Sequence, residues 1–151
     1  MRALVQRVTR ARVTVQGRVH SEIGPGLVVL LGVRHLDGEP DARWLAGKVA
    51  ALRVFGDVTA RMNLDVRDIQ GAVLVVPQFT LYADARHGRR PDFTEAAHPE
   101  RAEPLIQRFC KSLTDAGIRV EQGVFGAHML VALENDGPVT IMLESPEAEA
   151  P

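Results

Sequence analysis

Two spacings of apolar residues alternate along the chain. Ala11, Val13 and Val15 take turns with Arg12 and Thr14, the period-2 pattern of a half-buried strand. Gln16-Gly17 fits a tight turn, after which Arg18 to Ile23 returns antiparallel. Gly24-Pro25-Gly26 punctuates the chain. The apolar run from Leu27 to Val33 then predicts a strand buried on both faces. A helix follows, with Pro40 in its first turn and Ala42, Leu45, Val49 and Leu52 at spacings of three and four. Gly56 to Asp68 is polar and predicts a loop with a short hairpin. Ala72 to Tyr82 predicts the second strongly apolar strand. Alternation along it sets Phe79 and Leu81 on one face, Gln78 and Thr80 on the other.

Residues 83–98 have no period and predict a long loop, a length that in compact domains is usually functional or disordered. The second helix begins near Pro99, carries the stripe Ala102, Leu105, Ile106, Phe109 and Leu113, and stops at Gly117. Three short strands close the chain: Ile118 to Gln122, Met129 to Glu134 and Val139 to Leu143. Both helices have hairpin-like neighbours rather than a regular βαβ alternation. The expected fold class is α+β, a mainly antiparallel, barrel-like sheet with two helices packed on one side. Residues 1–144 are expected to form one domain and 145–151 a disordered, solvated tail.

Composition narrows the class of molecule. The chain has 151 residues, 46% apolar and 25% charged, enough to bury a core without staples. Its longest apolar run, Leu27 to Leu31, is far short of the ~20 residues of a membrane span. Cys110 is the only cysteine, and its place in the second helical stripe predicts a packed thiol. A reducing, cytoplasmic setting fits that usage. Net charge is −1, but its distribution is uneven. Arg2, Arg7, Arg10, Arg12 and Arg18 open the chain without an acid. Beyond Arg119 come only Glu121, Glu134, Asp136, Glu144, Glu147 and Glu149. Arginine suits phosphate recognition, although such asymmetry also arises from strand faces kept soluble by charge.

The usual catalytic constellations are missing. His20, His35, His87, His98 and His128 show no metal-ligand spacing, and there is no HExxH, GxSxG, Walker loop or GxGxxG. A reaction here would rely on main-chain atoms or on the substrate itself. Two segments stand out. In Pro77-Gln78-Phe79-Thr80-Leu81-Tyr82, polar side chains leave the end of an apolar strand, where they line a pocket or simply wet a face. Pro77 cannot donate to a ladder, which suggests an edge, bulge or break there. In Asn135-Asp136-Gly137-Pro138-Val139-Thr140, Asp-Gly signals a hairpin, yet the following proline removes an amide such a turn would use. That Gly-Pro bond is a candidate for a cis peptide, or the segment is simply a turn.

With both segments in one chain, the sequence resembles the D-aminoacyl-tRNA deacylases from Met1 to Leu143. The likeness runs through Gln6-Arg7-Val8, Gly26-Leu27 with Gly32-Val33, Met62-Asn63-Leu64, Gln78 to Leu81, Arg90-Pro91, and Phe125-Gly126-Ala127 followed by Met129. It ends with Asn135 to Thr140. The resemblance implies a homodimeric enzyme that hydrolyses the ester joining a D-amino acid, or glycine, to the 3′ adenosine of tRNA. It implies no cofactor and no metal, and as partners aminoacyl-tRNA and a second copy rather than DNA or a membrane.

Carried over by position, Gln78, Phe79 and Thr80 would wall the ester and terminal adenosine, their amides stabilising the oxyanion. Gly137 and Pro138, joined by a cis bond in the family, would reach into the partner's pocket and reject L side chains. Arg7 would support that corner and Met129 would line the pocket. The ribose 2′-hydroxyl would activate the attack, leaving Thr80 a lesser part. Arg86, His87, Arg89 and Arg90 are expected on charge alone to contact the tRNA backbone. Most members carry Ser where this chain has Pro77, so a hydrogen bond from that position is lost here; a related animal paralogue with relaxed chirality carries Pro there too. The other readings are a non-catalytic binder of the tRNA 3′ end and a hydrolase of free D-amino-acid esters.

Overall fold

A computed structural model describes residues 1–146. Its elements are β1 (Arg2–Val15), β2 (Arg18–Ile23), β3 (Gly26–Gly32), α1 (Glu39–Ala51), β4 (Phe55–Gly56), β5 (Met62–Leu64), β6 (Ala72–Pro77), a 3₁₀ turn (Phe79–Tyr82), α2 (Pro99–Asp115), β7 (Arg119–Gln122) and β8 (Leu130–Glu144). β4 and β5 form the hairpin expected between Gly56 and Asp68.

β1 organises the main sheet. It pairs antiparallel with β2 through residues 11–15, with β3 through 2–8, and along its other edge with β8. The strand starts nine residues before the alternation that signals it. Its burial phase slips, Ala3 and Val5 facing one core and Val8, Ala11 and Val13 another. The register shifts between Gln6 and Val8 and again between Val8 and Arg10, which lets one strand serve two cores.

β3, β6 and β7 then run parallel. Antiparallel pairing still predominates, but each helix lies in a crossover between parallel strands, not between hairpin neighbours as the sequence suggests. β3 is buried on both faces as expected. Leu27, Val29 and Leu31 meet α1 and α2, while Val28 packs inside the curled sheet with Leu74, Val76 and Ile23. Fully burying each such side chain stabilises the fold by about 1.5–3 kcal/mol. The curl brings β2 against β7, where Ser21 Oγ donates to the Gln122 carbonyl (2.8 Å) and Arg119 Nη2 to the Glu22 carbonyl (3.3 Å). The barrel is thus nearly closed.

The last two expected strands are one strand, β8, because both halves bond the same edge of β1. The charge asymmetry finds its explanation there. Arg2 pairs with Glu144 (2.5 Å), Arg10 with Glu134 (2.7 Å) and Arg7 with Asp136 (3.7 Å), so acids and bases neutralise each other across two adjacent strands. Cys110 is packed as expected, and burial pushes its thiol up to about 12. The expected tail starts too early. Ser145 is buried, its amide donating to the Met1 carbonyl (2.9 Å) and its hydroxyl accepting from the Met1 amine (2.6 Å). The rest of the expected tail, 147–151, lies outside the described residues.

Candidate active site

The three parallel strands end on the same side of the molecule. A cavity of about 780 Å³ opens there, with Leu31 at the end of β3, Val76 and Pro77 at the end of β6, and Phe125 after β7. Ala102 and Ile106 of α2 close its back, so one face of that helix serves both core and cavity.

The expected strand through Tyr82 stops at Pro77, and Phe79–Tyr82 wind into a 3₁₀ turn instead. Proline cannot extend the ladder. The Gln78 amide makes a last bond to the Leu31 carbonyl (2.8 Å), after which the chain folds across Gly32. A Cβ on Gly32 would lie 3.1 Å from the Gln78 carbonyl oxygen and 3.2 Å from the Leu81 and Tyr82 side chains, so the missing side chain makes room for the turn. Two-faced alternation of Gln78 to Leu81 is therefore lost. Gln78 and Phe79 line the cavity. Thr80 lies just beyond that lining, exposed, its hydroxyl accepting from the Gln78 side-chain amide. Arg2 stacks over the buried Tyr82 ring (4.6 Å) and donates to the Leu81 carbonyl (2.9 Å), pinning the turn from behind.

Met129 lines the opposite wall. Its sulfur accepts from the Val124 amide at 3.3 Å, and a Cβ on Gly123 would stand 2.7 Å from that sulfur.

The Asn135–Thr140 segment is not a hairpin turn. Asn135 pairs with Val8 and Thr140 with Gln6, so residues 136–139 bulge out opposite the single residue Arg7. Arg7 donates through Nε to the Asp136 carbonyl (2.8 Å) and through Nη1 to the Val54 carbonyl (2.5 Å), holding the bulge against the chain after α1. The Asn135 side chain clamps its base, accepting from the Val139 amide (2.7 Å) and donating to the Val139 carbonyl (3.0 Å). The Gly137–Pro138 bond is cis. Gly137 has φ of +146°, and a Cβ there would meet the Val139 amide nitrogen at 2.9 Å and Arg7 Nη2 at 3.2 Å. Gly137, Pro138 and Arg7 thus come together, but none of them lines the cavity of their own chain.

The long loop is folded rather than loose. Asp84 and Asp92 exchange main-chain bonds (2.8 Å each), and Ala97 donates to the Val33 carbonyl (2.9 Å). Arg86 is tied to Asp84 by two bonds of 2.6 and 2.9 Å, which hold that carboxyl down at about 2. Arg89 and Arg90 are exposed, with no ion-pair partner among the described residues.

The structure brings to the site residues to which the sequence reading gave no role there. Phe93, Phe125, His35, His98 and His128 all line the cavity, and Asn135 braces the bulge. Phe93 carried a signal, as the one aromatic residue in the polar stretch 83–98.

A mixed sheet with outer helices and an apolar cavity at the carboxyl ends of its parallel strands defines an α+β protein whose cavity lies where such sheets commonly bind ligands. A sequence model described as D-Tyr-tRNA(Tyr) deacylase matches residues 4–144. Among curated relatives, a D-aminoacyl-tRNA deacylase of Thermomicrobium roseum is 57% identical over 147 residues, 97% of this chain and 96% of that one. Another of Symbiobacterium thermophilum is 58% identical over 145 residues, 96% of each chain. Among solved structures, one titled c-Myc DNA Unwinding Element Binding Protein superposes with a TM-score of 0.91 at 43% identity, covering 97% of this chain and 99% of that one. A probable eukaryotic D-amino acid tRNA deacylase, at 18% identity and a TM-score of 0.83 over 95% and 98% of the chains, shares the fold. The chain belongs to the D-aminoacyl-tRNA deacylase family, and it is a hydrolase.

Proposed function

We propose that the protein hydrolyses the ester between a D-amino acid, or glycine, and the 3′ adenosine of tRNA, and spares L-aminoacyl-tRNA. The observation that carries this reading is the cavity at the ends of β3, β6 and β7, walled by Gln78, Phe79 and Met129. Water adds to the ester carbonyl, the carbon–oxygen bond to the ribose 3′-oxygen breaks, and that oxygen takes up a proton. Phe79 and Thr80 open a helical turn, whose first amides have no partner inside the turn, and these amides receive the developing oxyanion. The neighbouring ribose 2′-hydroxyl activates the water, so the step uses neither a metal nor a cofactor, and the Thr80 hydroxyl only helps position it.

The chirality filter is the bulge at Asp136 to Val139, supplied by a second copy. Its fixing by Arg7 and Asn135 gives main-chain carbonyls a rigid position. Rigid acceptors grip the substrate amino group and leave no space for a side chain of the wrong hand. Two features support a homodimer. The bulge does not line its own cavity, and β8 pairs with β1 on one edge while exposing Leu130 and Met142. The reading places the enzyme in the cytoplasm, where charged tRNA is found. Among the described residues no helix is long and apolar enough to cross a membrane.

The test is deacylation of one tRNA charged with either enantiomer of the same amino acid. The D-ester is expected to disappear and the L-ester to persist; equal rates would remove the filter. Binding of the tRNA 3′ end without ester loss would favour the non-catalytic alternative. Equal turnover of short D-amino-acid esters would favour a hydrolase indifferent to tRNA.

A further inference from the structure

Two large aromatic rings stand at the mouth of the cavity, outside the core. Phe79 is 55% exposed and Phe93 37%. They meet edge to face, with centroids 5.0 Å apart and planes at 66°. Phe79 belongs to the 3₁₀ turn. Phe93 is held from the other side, just past the Asp84–Asp92 bridge and beside Thr94, whose amide donates to the Asp92 carboxylate (2.6 Å). Both rings are therefore fixed on folded backbone.

The loop closed by that bridge carries the charge. Arg86 is spent on Asp84, and Asp92 on Thr94. Glu95 is exposed nearby. Arg89 and Arg90 remain exposed cations, unpaired among the described residues, four and three positions from Phe93. Exposed π faces, with unpaired guanidinium groups on the same short loop as one of them, suit a single nucleic-acid strand. Successive bases stack on rings, and the phosphates between them lie against cations. An apolar protein partner would use the rings but leave the arginines without a function.

We infer that Phe79 and Phe93, with Arg89 and Arg90, form a platform for the unpaired nucleotides that precede the terminal adenosine of an RNA 3′ end. The inference rests on the proposed reading, in which that adenosine enters the cavity and the strand leaves past its mouth. It also divides the expected backbone contacts, assigning Arg89 and Arg90 to phosphate and Arg86 to holding the loop.

The test compares one D-aminoacyl ester carried on adenosine, on a dinucleotide and on a trinucleotide. In the wild-type protein the second nucleotide is expected to lower KM about ten-fold, the worth of one stacked base. Phe93→Leu, which keeps apolar bulk but removes the ring, is expected to reduce that gain below about two-fold, and Phe93→Tyr to retain it. Arg89→Ala and Arg90→Ala are each expected to lower the slope of log KM against log salt by about 0.7–1 for the trinucleotide. A full length-dependent gain in Phe93→Leu, or unchanged salt slopes, would overturn the platform. If the wild-type protein hydrolyses none of these esters, the functional reading fails by itself. Anisotropy of an uncharged, labelled trinucleotide then reads the platform separately, with weaker binding by Phe93→Leu than by wild type expected and equal binding overturning it.

Discussion

The two segments that carry the family resemblance are built in opposite ways. Gln78 to Tyr82 is folded onto the core. It crosses Gly32, buries Tyr82 and lines a cavity whose back wall, Ile106, also belongs to the main hydrophobic cluster. The bulge at Asp136 to Val139 touches the core only at its base, through the half-buried Val139. It is exposed at Asp136, Gly137 and Pro138, and polar side chains fix it, Arg7 from the neighbouring strand and Asn135 from its base. One segment inherits its precision from packing, the other from hydrogen bonds. Damage near the first should therefore register as lost stability, and damage to the second as lost chemistry.

Replacements on the two sides sharpen that contrast. Ile106→Ala removes a side chain that is 3% exposed, and denaturant unfolding should show a loss of about 2–5 kcal/mol. Gly137→Ala forces a Cβ to within 2.9 Å of the Val139 amide nitrogen. Displacing the bulge by an ångström should lower kcat/KM for D-aminoacyl-tRNA by about 100-fold, with a smaller loss of stability. Were Gly137→Ala to unfold the protein while leaving the folded fraction fully active, the contrast would be wrong. Arg7→Ala removes the bonds to the Asp136 and Val54 carbonyls, and the ratio of D to L hydrolysis should fall about ten-fold. The smallest effect belongs to the exposed Arg10–Glu134 pair, where a double-mutant cycle should measure about 0.2–1 kcal/mol, fading with added salt.

Legibility in the sequence follows the same division. The helices, β3 and the β4–β5 hairpin are plain in the sequence, since each helix buries a stripe at one period, β3 is apolar throughout and the hairpin lies in a polar stretch, and Gly117, with φ of +85°, ends the second helix as expected. The front half of β1 was hidden because its burial changes face near Arg7 and Thr9, where the register shifts. The 3₁₀ turn was hidden because Phe79 and Leu81 imitate strand alternation, while Pro77 and Gly32 together redirect the chain. Gly32 acts through space, which no local window reads. The arginine-rich start and acidic end fit either phosphate recognition or charged strand faces by sequence, and the structure pairs Arg2, Arg7 and Arg10 of one strand with Glu144, Asp136 and Glu134 of its neighbour. The proximity of Arg7 to Asp136 was legible only through the resemblance. The platform at Phe93 required coordinates, since a lone aromatic residue in a polar loop stands out in sequence but does not tell that its ring meets Phe79.

β1 is the first of the described strands, and most of its outer edge belongs to β8, the last of them. While the chain emerges from a ribosome, β1 can meet β2 and β3 early, but Arg7 has no Asp136 carbonyl to hold until 129 further residues have been added. Nascent chains therefore carry an open, hydrogen-bond-hungry seam along β1 until β8 follows, and the bulge takes shape only then.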